Sequence, residues 1–214
     1  ICHCLVGSEM CIRDRLKGVS HFFVQDEESK TLLNKKGIYQ VTVNGDNRYD
    51  KVFEDSIYSK EIPYINSFKG SHPLIVAGST YKIDSKMLIS ISNRMPKVKF
   101  ILAPHEIELC DDLKKYGLLY SQANKDNVKN HSILIIDSIG ILSQLYQYAT
   151  LSYIGGAFGK GLHNILEAIA FGSYVLFGPK FHKYKEANEA IRVGIAQSIK
   201  SEYELETAIK KHID

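Results

Sequence analysis

Residues 153–173 read YIGGAFGKGLHNILEAIAFGS, and four glycines there (Gly155, Gly156, Gly159 and Gly161) separate an apolar run from a helical pattern. Glycine lets a ligand approach the backbone, and a following helix offers free N–H groups with a positive dipole end. That combination suits a phosphate. His163 and Asn164 are expected to open the helix. Glu167, one turn after His163, is expected on the same face, where a carboxylate would accept hydrogen bonds from a ribose diol. A dinucleotide fingerprint needs G-x-G-x-x-G and an acid about twenty residues on. Here the spacing is G-G-x-x-G-x-G, and YVLFGPKFH offers no acid. The bland alternative is that the glycines serve tight strand–helix packing.

The elements that must carry this loop are legible upstream and downstream. PLIVAGS, KVKFILAPH, HSILIIDS, TLSYIGG, SYVLFGP and IAQSI are apolar runs, and helical patterns alternate with them. Continuous apolar strands between helices predict an α/β fold, a doubly wound, Rossmann-like parallel sheet, over residues 71–214. Residues 16–53 read as strand, helix and strand, the end of a preceding domain. Asp26 is expected to cap the helix there and Gly37 to stop it. Residues 54–70 carry Pro63 and Gly70 and read as a linker with a turn of helix.

In such sheets ligands bind outside the carboxyl ends of the strands. Five stretches meet that condition: Ser79, Thr80 and Tyr81; Pro104, His105 and Glu106; Asp137, Ser138, Ile139 and Gly140; the glycine loop; and the basic-aromatic KFHKYK after Gly178 and Pro179. Taken singly, Ser79 and Asp137 read as helix caps.

Composition narrows the class. The net charge of +3 and pI near 8.5 lack the strong basic bias of a nucleic-acid binder. No apolar run reaches the roughly 18 residues of a membrane span. Cys2, Cys4 and Cys11 cluster at the start without the second ligand pair of a zinc finger. Residues 1–15 resemble a translated adapter sequence and are expected to be a non-native leader, leaving a chain that starts within a longer protein. Cys110 reads as a reduced, partly buried thiol. No D-x-D motif appears, and neither metal nor cofactor is expected.

Several stretches together resemble the donor-binding, C-terminal domain of GT-B glycosyltransferases, and more closely the 3-deoxy-D-manno-octulosonic acid (Kdo) transferases. They are FFVQDEES with VTVNGDNRYD, VAGST, APHE, IIDSIGILSQLYQYATLSYIGGAF, and GLHNILEAIAFGSYVLFGP with YKEA after it. The resemblance implies a CMP-Kdo donor and a lipid A precursor as acceptor in lipopolysaccharide biosynthesis. It implies peripheral attachment at the cytoplasmic face of the bacterial inner membrane, through an acceptor domain of which this chain is expected to keep only the end, residues 16–53. That domain would also supply the catalytic base.

By position, the resemblance puts Ser79 and Thr80 at the border of the donor cleft. Pro104 and His105 flank the nucleotide where the family has Pro-Arg-His; the arginine is absent here. Asp137, Ser138, Ile139 and Gly140 line the cytidine side. Gly155, Gly156 and Gly161 shape the phosphate loop, His163 and Asn164 meet the phosphate, and Glu167 holds the ribose. Lys185 matches a family lysine, or is a solvated surface residue. Another GT-B nucleotide-sugar enzyme, an epimerase, or a non-catalytic nucleotide-binding module are the rival readings.

Overall fold

The computed structural model describes residues 15, 16 and 18–213. The expected leader therefore lies, apart from Arg15, outside the described residues. Contacts divide the chain into two compact units, the first ending at Lys51 and the second starting at Val52.

In the first unit, β1 (Phe22–Val24) pairs in parallel with β2 (Val41–Val43), and helix α1 (Glu27–Lys35) connects them. Asp26 caps α1 by accepting a hydrogen bond from the Ser29 N–H at 2.8 Å. Gly37 follows the helix with φ of +80°, the left-handed conformation its lack of a Cβ permits. Helix α2 (Asn47–Ile57) runs across the division.

The second unit holds a seven-stranded parallel sheet in the order β5-β6-β4-β3-β7-β8-β9. Its strands are β3 (Leu74–Thr80), β4 (Lys99–Pro104), β5 (Leu118–Leu119), β6 (Ile133–Ile135), β7 (Leu151–Ile154), β8 (Tyr174–Phe177) and β9 (Ala196–Ser198). The helices are α3 (Ile65–Lys69), α4 (Lys82–Arg94), α5 (Leu109–Leu113), α6 (Leu142–Leu145), α7 (Leu166–Ala170), α8 (Lys185–Arg192) and α9 (Glu202–Ile213).

Period-two alternation sends successive strand residues to opposite faces. Ile75, Phe100, Leu102, Ile135 and Leu151 pack with Leu88 and Ile91 of α4 and Leu205 and Ile209 of α9. Leu74, Val76, Ile101, Leu134 and Phe177 pack on the other face with Phe68 of α3, Leu145 of α6, Leu166 of α7 and Ala187 of α8. Both faces are covered, so the strands read as unbroken apolar runs and the doubly wound α/β expectation is met. Burying each such aliphatic side chain stabilises by roughly 1.5–3 kcal/mol.

Local differences from the expected elements have identifiable causes. Residues 54–57 complete α2, and α3 buries Ile65 and Phe68 in the core. The expected helix after Gly140 is a single turn, Leu142–Leu145, followed by a 3-10 turn over Tyr146–Tyr148. The helix after the glycine loop starts only at Leu166. Among the described residues, no helix is long and apolar enough to cross a membrane.

Candidate functional site

Strand β3 lies between β4 and β7, and the chain reaches those neighbours by crossovers of different length. This is the topological switch point, where the carboxyl ends of neighbouring strands open a crevice. Three rings meet there. Tyr81 follows β3, His105 follows β4, and His163 comes from the loop after β7. The ring centroids of His105 and His163 are 4.4 Å apart, and Tyr81 lies 5.0 Å from His105 and 5.6 Å from His163. The Tyr81 hydroxyl is 3.2 Å from His163 Nε2. Lys160 Nζ sits 5.2 Å from the Tyr81 ring centroid and 3.3 Å from Glu106 Oε1. Burial, and secondarily the neighbouring His105, hold the His163 pKa below the ordinary imidazole value. An anion between the two rings would favour their charged forms.

Beneath the rings lies a carboxylate that the sequence did not single out. Asp84, in the first turn of α4, is fully buried. It accepts hydrogen bonds from the Tyr153 hydroxyl (2.6 Å), the Tyr81 N–H (2.8 Å) and the Gly156 N–H (3.2 Å). One side chain thus ties the ends of β3 and β7 to the glycine loop. Burial and the adjacent Asp84 push the Tyr153 phenol well above its usual pKa, so it stays a donor.

The glycines answer to the protein itself. A Cβ on Gly155 would lie 2.3 Å from the Ser79 carbonyl oxygen and 2.8 Å from Thr80 Cα. One on Gly156, at φ +92°, would meet the Gly161 carbonyl oxygen at 2.3 Å, and one on Gly161 would meet the Tyr184 hydroxyl at 2.5 Å. The N–H groups are also engaged: Gly155 donates to Gly78, Gly156 to Asp84, and both Gly159 and Gly161 to the Gly156 carbonyl. As folded, the loop offers a phosphate none of these four donors. The expected rationale, bare backbone for an anion, is replaced here by close packing.

The expected helix opening at His163 and Asn164 is likewise corrected. The His163 N–H donates to the Gly155 carbonyl at 3.4 Å, which keeps this residue in the loop. Asn164 Oδ1 accepts from the Leu166 N–H at 3.1 Å, and its Nδ2 donates to Glu167 Oε1 at 3.1 Å. His163 precedes the helix, so the one-turn relation to Glu167 does not hold. The Glu167 carboxyl is half-buried, and burial raises its pKa.

The remaining candidates divide. Ser79 adopts φ +51°, rare for a side-chain-bearing residue, at an irregularity in the β3–β4 pairing. Thr80 is buried and its hydroxyl accepts from Ser85 at 3.1 Å. Pro104 pairs with Thr80, and the His105 N–H donates to the Thr80 carbonyl. Asp137 turns to Ser121, accepting from its N–H at 2.9 Å and from its hydroxyl. Ser138, Ile139 and Gly140 are exposed, Ile139 to 87%. Lys185 is the exposed first residue of α8, directly after the Tyr184 that packs on Gly161. Cys110 is buried, and burial raises its thiol pKa. Among the described residues, no group of three or more His, Cys, Asp or Glu side chains is placed to hold a metal ion.

Asp84, Tyr153 and Lys160 are the site residues that sequence reasoning missed. Asp84 carried one available signal, an acid in the first turn of a helix opening at a strand's carboxyl end.

No protein-family model matches the chain. It is 28% identical over 196 residues to the 3-deoxy-D-manno-octulosonic acid transferase of Rickettsia felis, covering 86% of this chain and 40% of that protein. The transferase of the same name from Aquifex aeolicus is 29% identical over 143 residues, 63% of this chain and 40% of the relative. The chain therefore spans about two fifths of the length of these relatives. Among solved structures, the C-terminal CMP-Kdo binding domain of WaaA from Acinetobacter baumannii matches with a TM-score of 0.58 at 15% identity, over 76% of this chain and 88% of that one. A UDP-forming α,α-trehalose-phosphate synthase from Burkholderia vietnamiensis matches with a TM-score of 0.53 at 10% identity, over 89% and 50%. These likenesses agree in the expected fold.

Proposed function

We propose that the chain, which is similar to 3-deoxy-D-manno-octulosonic acid transferases, carries the donor-binding half of an enzyme that moves Kdo from CMP-Kdo to a lipid A precursor. In that reaction a sugar hydroxyl of the acceptor attacks the anomeric carbon of Kdo. The bond from that carbon to the phosphate oxygen breaks, CMP leaves with the electron pair, and a general base takes the hydroxyl proton. We assign the base and the acceptor contacts to parts of the protein outside this donor half. The setting would be lipopolysaccharide synthesis, peripherally at the cytoplasmic face of the inner membrane.

The observation that carries the reading is the meeting of His105 and His163, 4.4 Å apart, at the carboxyl ends of the central strands in a relative of these transferases. Two imidazoles there can supply positive charge to a departing phosphate. Lys160 lies beside the Tyr81 ring, which packs on both imidazoles. The ribose would meet Glu167 beside Asn164, and the exposed Ile139 would lie against the base. Lys185, Ser79 and Pro104 would border the cleft.

Calorimetric titration with CMP and UDP tests this. CMP should bind more tightly than UDP, and His105→Ala and His163→Ala should each weaken CMP by about tenfold, the scale of one charge-assisted hydrogen bond. Equal affinity for both nucleotides would favour a different nucleotide-sugar enzyme. Unchanged CMP affinity in both variants would remove the rim from the donor site.

A further inference from the structure

A second polar concavity, of about 530 Å3, lies among α3, the turn after it, and the amino-terminal start of β4, at the opposite end of the strands from the rings. Its walls include Ser67, Lys69, Ser71, His72 and Lys129, and Lys99 reaches it from the first position of β4. None of its lining residues is acidic. Glu61 touches the lining at Asn66, whose Nδ2 donates to it at 2.9 Å.

Lys99 is the unusual member. It is only 9% exposed, and its ammonium donates to the carbonyl oxygens of Lys129 (3.0 Å) and His131 and lies 5.2 Å from the Phe68 ring centroid. All three partners are uncharged. A lysine this buried is ordinarily paired with a carboxylate. Burial here pushes the ammonium pKa down, the signature of a cation lacking a counter-charge. An ammonium has three donors, so one remains beyond the two carbonyls. Lys69 gives one of its three to the Tyr148 carbonyl at 2.8 Å.

We infer that this concavity binds a phosphomonoester, with Lys99 at its floor and Lys69, Lys129, Ser67 and Ser71 around it. The donor set selects the ligand. Lysines and hydroxyls converging from several directions suit a tetrahedral, multi-oxygen anion met as a point charge, whereas a planar carboxylate is matched by arginine forks, and the lining has no arginine. The volume falls within the roughly 300–1,000 Å3 of small-molecule sites, so the phosphate has room for a substituent. That substituent belongs either to a soluble metabolite or to a lipid headgroup at a bilayer. The inference does not depend on the donor reading, since the residues, the end of the sheet and the ligand all differ.

The test is amide-resolved NMR titration of the 214-residue chain with inorganic phosphate and with glycerol 3-phosphate, using chloride at matched ionic strength as control. In parallel, the chain is sedimented with phosphatidylcholine vesicles with and without phosphatidic acid. Saturable shifts at residues 67–72, 99 and 129 with the soluble phosphates, weakened about tenfold in Lys129→Glu, support a soluble ligand. Binding confined to vesicles with phosphatidic acid, and lost in Lys129→Glu, supports a headgroup. Lys99→Met should abolish either; should it fail to fold, Lys129→Glu, on an exposed side chain, decides. No response in either arm, shifts confined to residues 155–164, or wild-type binding by Lys129→Glu overturns the inference.

Discussion

The carboxylate of Asp84 accepts a hydrogen bond from the Gly156 N–H, 72 residues further along the chain, at 3.2 Å. The same carboxylate holds the Tyr81 N–H, and the Tyr81 ring packs beside His105 and His163. The rim is therefore supported from inside the fold by one buried side chain with three donors around it.

Asp84→Asn should destabilise the chain by roughly 1–3 kcal/mol, because an amide turns an N–H2 toward at least one of those donors and leaves it unsatisfied. Urea unfolding measures this. A midpoint indistinguishable from wild type would mean that the three hydrogen bonds contribute nothing net.

Gly155→Ala and Gly159→Ala should behave oppositely. The first places a methyl 2.3 Å from the Ser79 carbonyl oxygen, and overpacking of that kind costs about 1–3 kcal/mol. The second meets its nearest atom, the Gly156 carbonyl oxygen, at 3.9 Å and should stay within about 0.5 kcal/mol of wild type. Thermal melts of both variants without nucleotide check the contrast, and equal losses would refute it.

His163 should titrate below the ordinary imidazole value of 6.5. A base with a depressed folded pKa binds fewer protons folded than unfolded, so stability falls as pH drops below about 6.5 and levels off below the folded pKa. Removing the neighbouring ring in His105→Ala should move the His163 titration upward. Ring-proton NMR over pH reads both, and a wild-type His163 at or above 6.5 contradicts the geometry.

Glu167 has the opposite sign. Its folded pKa is raised by burial, so its contribution is fully present below the unfolded value of 4.5 and is lost as pH rises through the folded pKa. Glu167→Gln keeps an acceptor for Asn164 and removes the buried charge. It should raise the melting temperature at pH 7, with the gain vanishing near pH 4.5. If its carboxylate also accepts a ribose hydroxyl, the same variant should weaken CMP about tenfold and 2′-deoxy- or 3′-deoxy-CMP less. Calorimetry with the three nucleotides separates the effects; equal losses for all three would remove Glu167 from the ribose.

The strands of the large sheet were legible because burial on both faces makes them unbroken apolar runs, as in LIVA of β3 and ILI of β6. The two-residue β5 was not, because Leu118 and Leu119 are too few to set a period. His105 and His163 could be placed at strand ends, but their stacking depends on strand order, which no local pattern encodes. The helix start at Leu166 escaped for a related reason. The hydrogen bonds that hold Gly161 and His163 back in the loop run to Gly156 and Gly155, and the Asx turn at Asn164 restarts the chain only afterwards. Asp84 looked like an ordinary acid in a helix's first turn because its decisive partners lie 69 and 72 residues away.

A mutational scan of this protein would score Gly78, Gly155, Gly156 and Gly161 as intolerant even in a background with no need of a nucleotide. At each of them an added methyl meets a protein atom within about 2.5 Å: the Tyr146 hydroxyl, the Ser79 carbonyl, the Gly161 carbonyl and the Tyr184 hydroxyl in turn. Intolerance at the glycines therefore reports on assembly of the seam between β3 and β7. Selection for ligand use should appear instead at side chains whose loss leaves the backbone undisturbed, with exposed His105 and Lys160 foremost. Abundance and activity scored separately on the same library would divide these positions into two classes, and the boundary would fall between neighbours in sequence, Lys160 and Gly161.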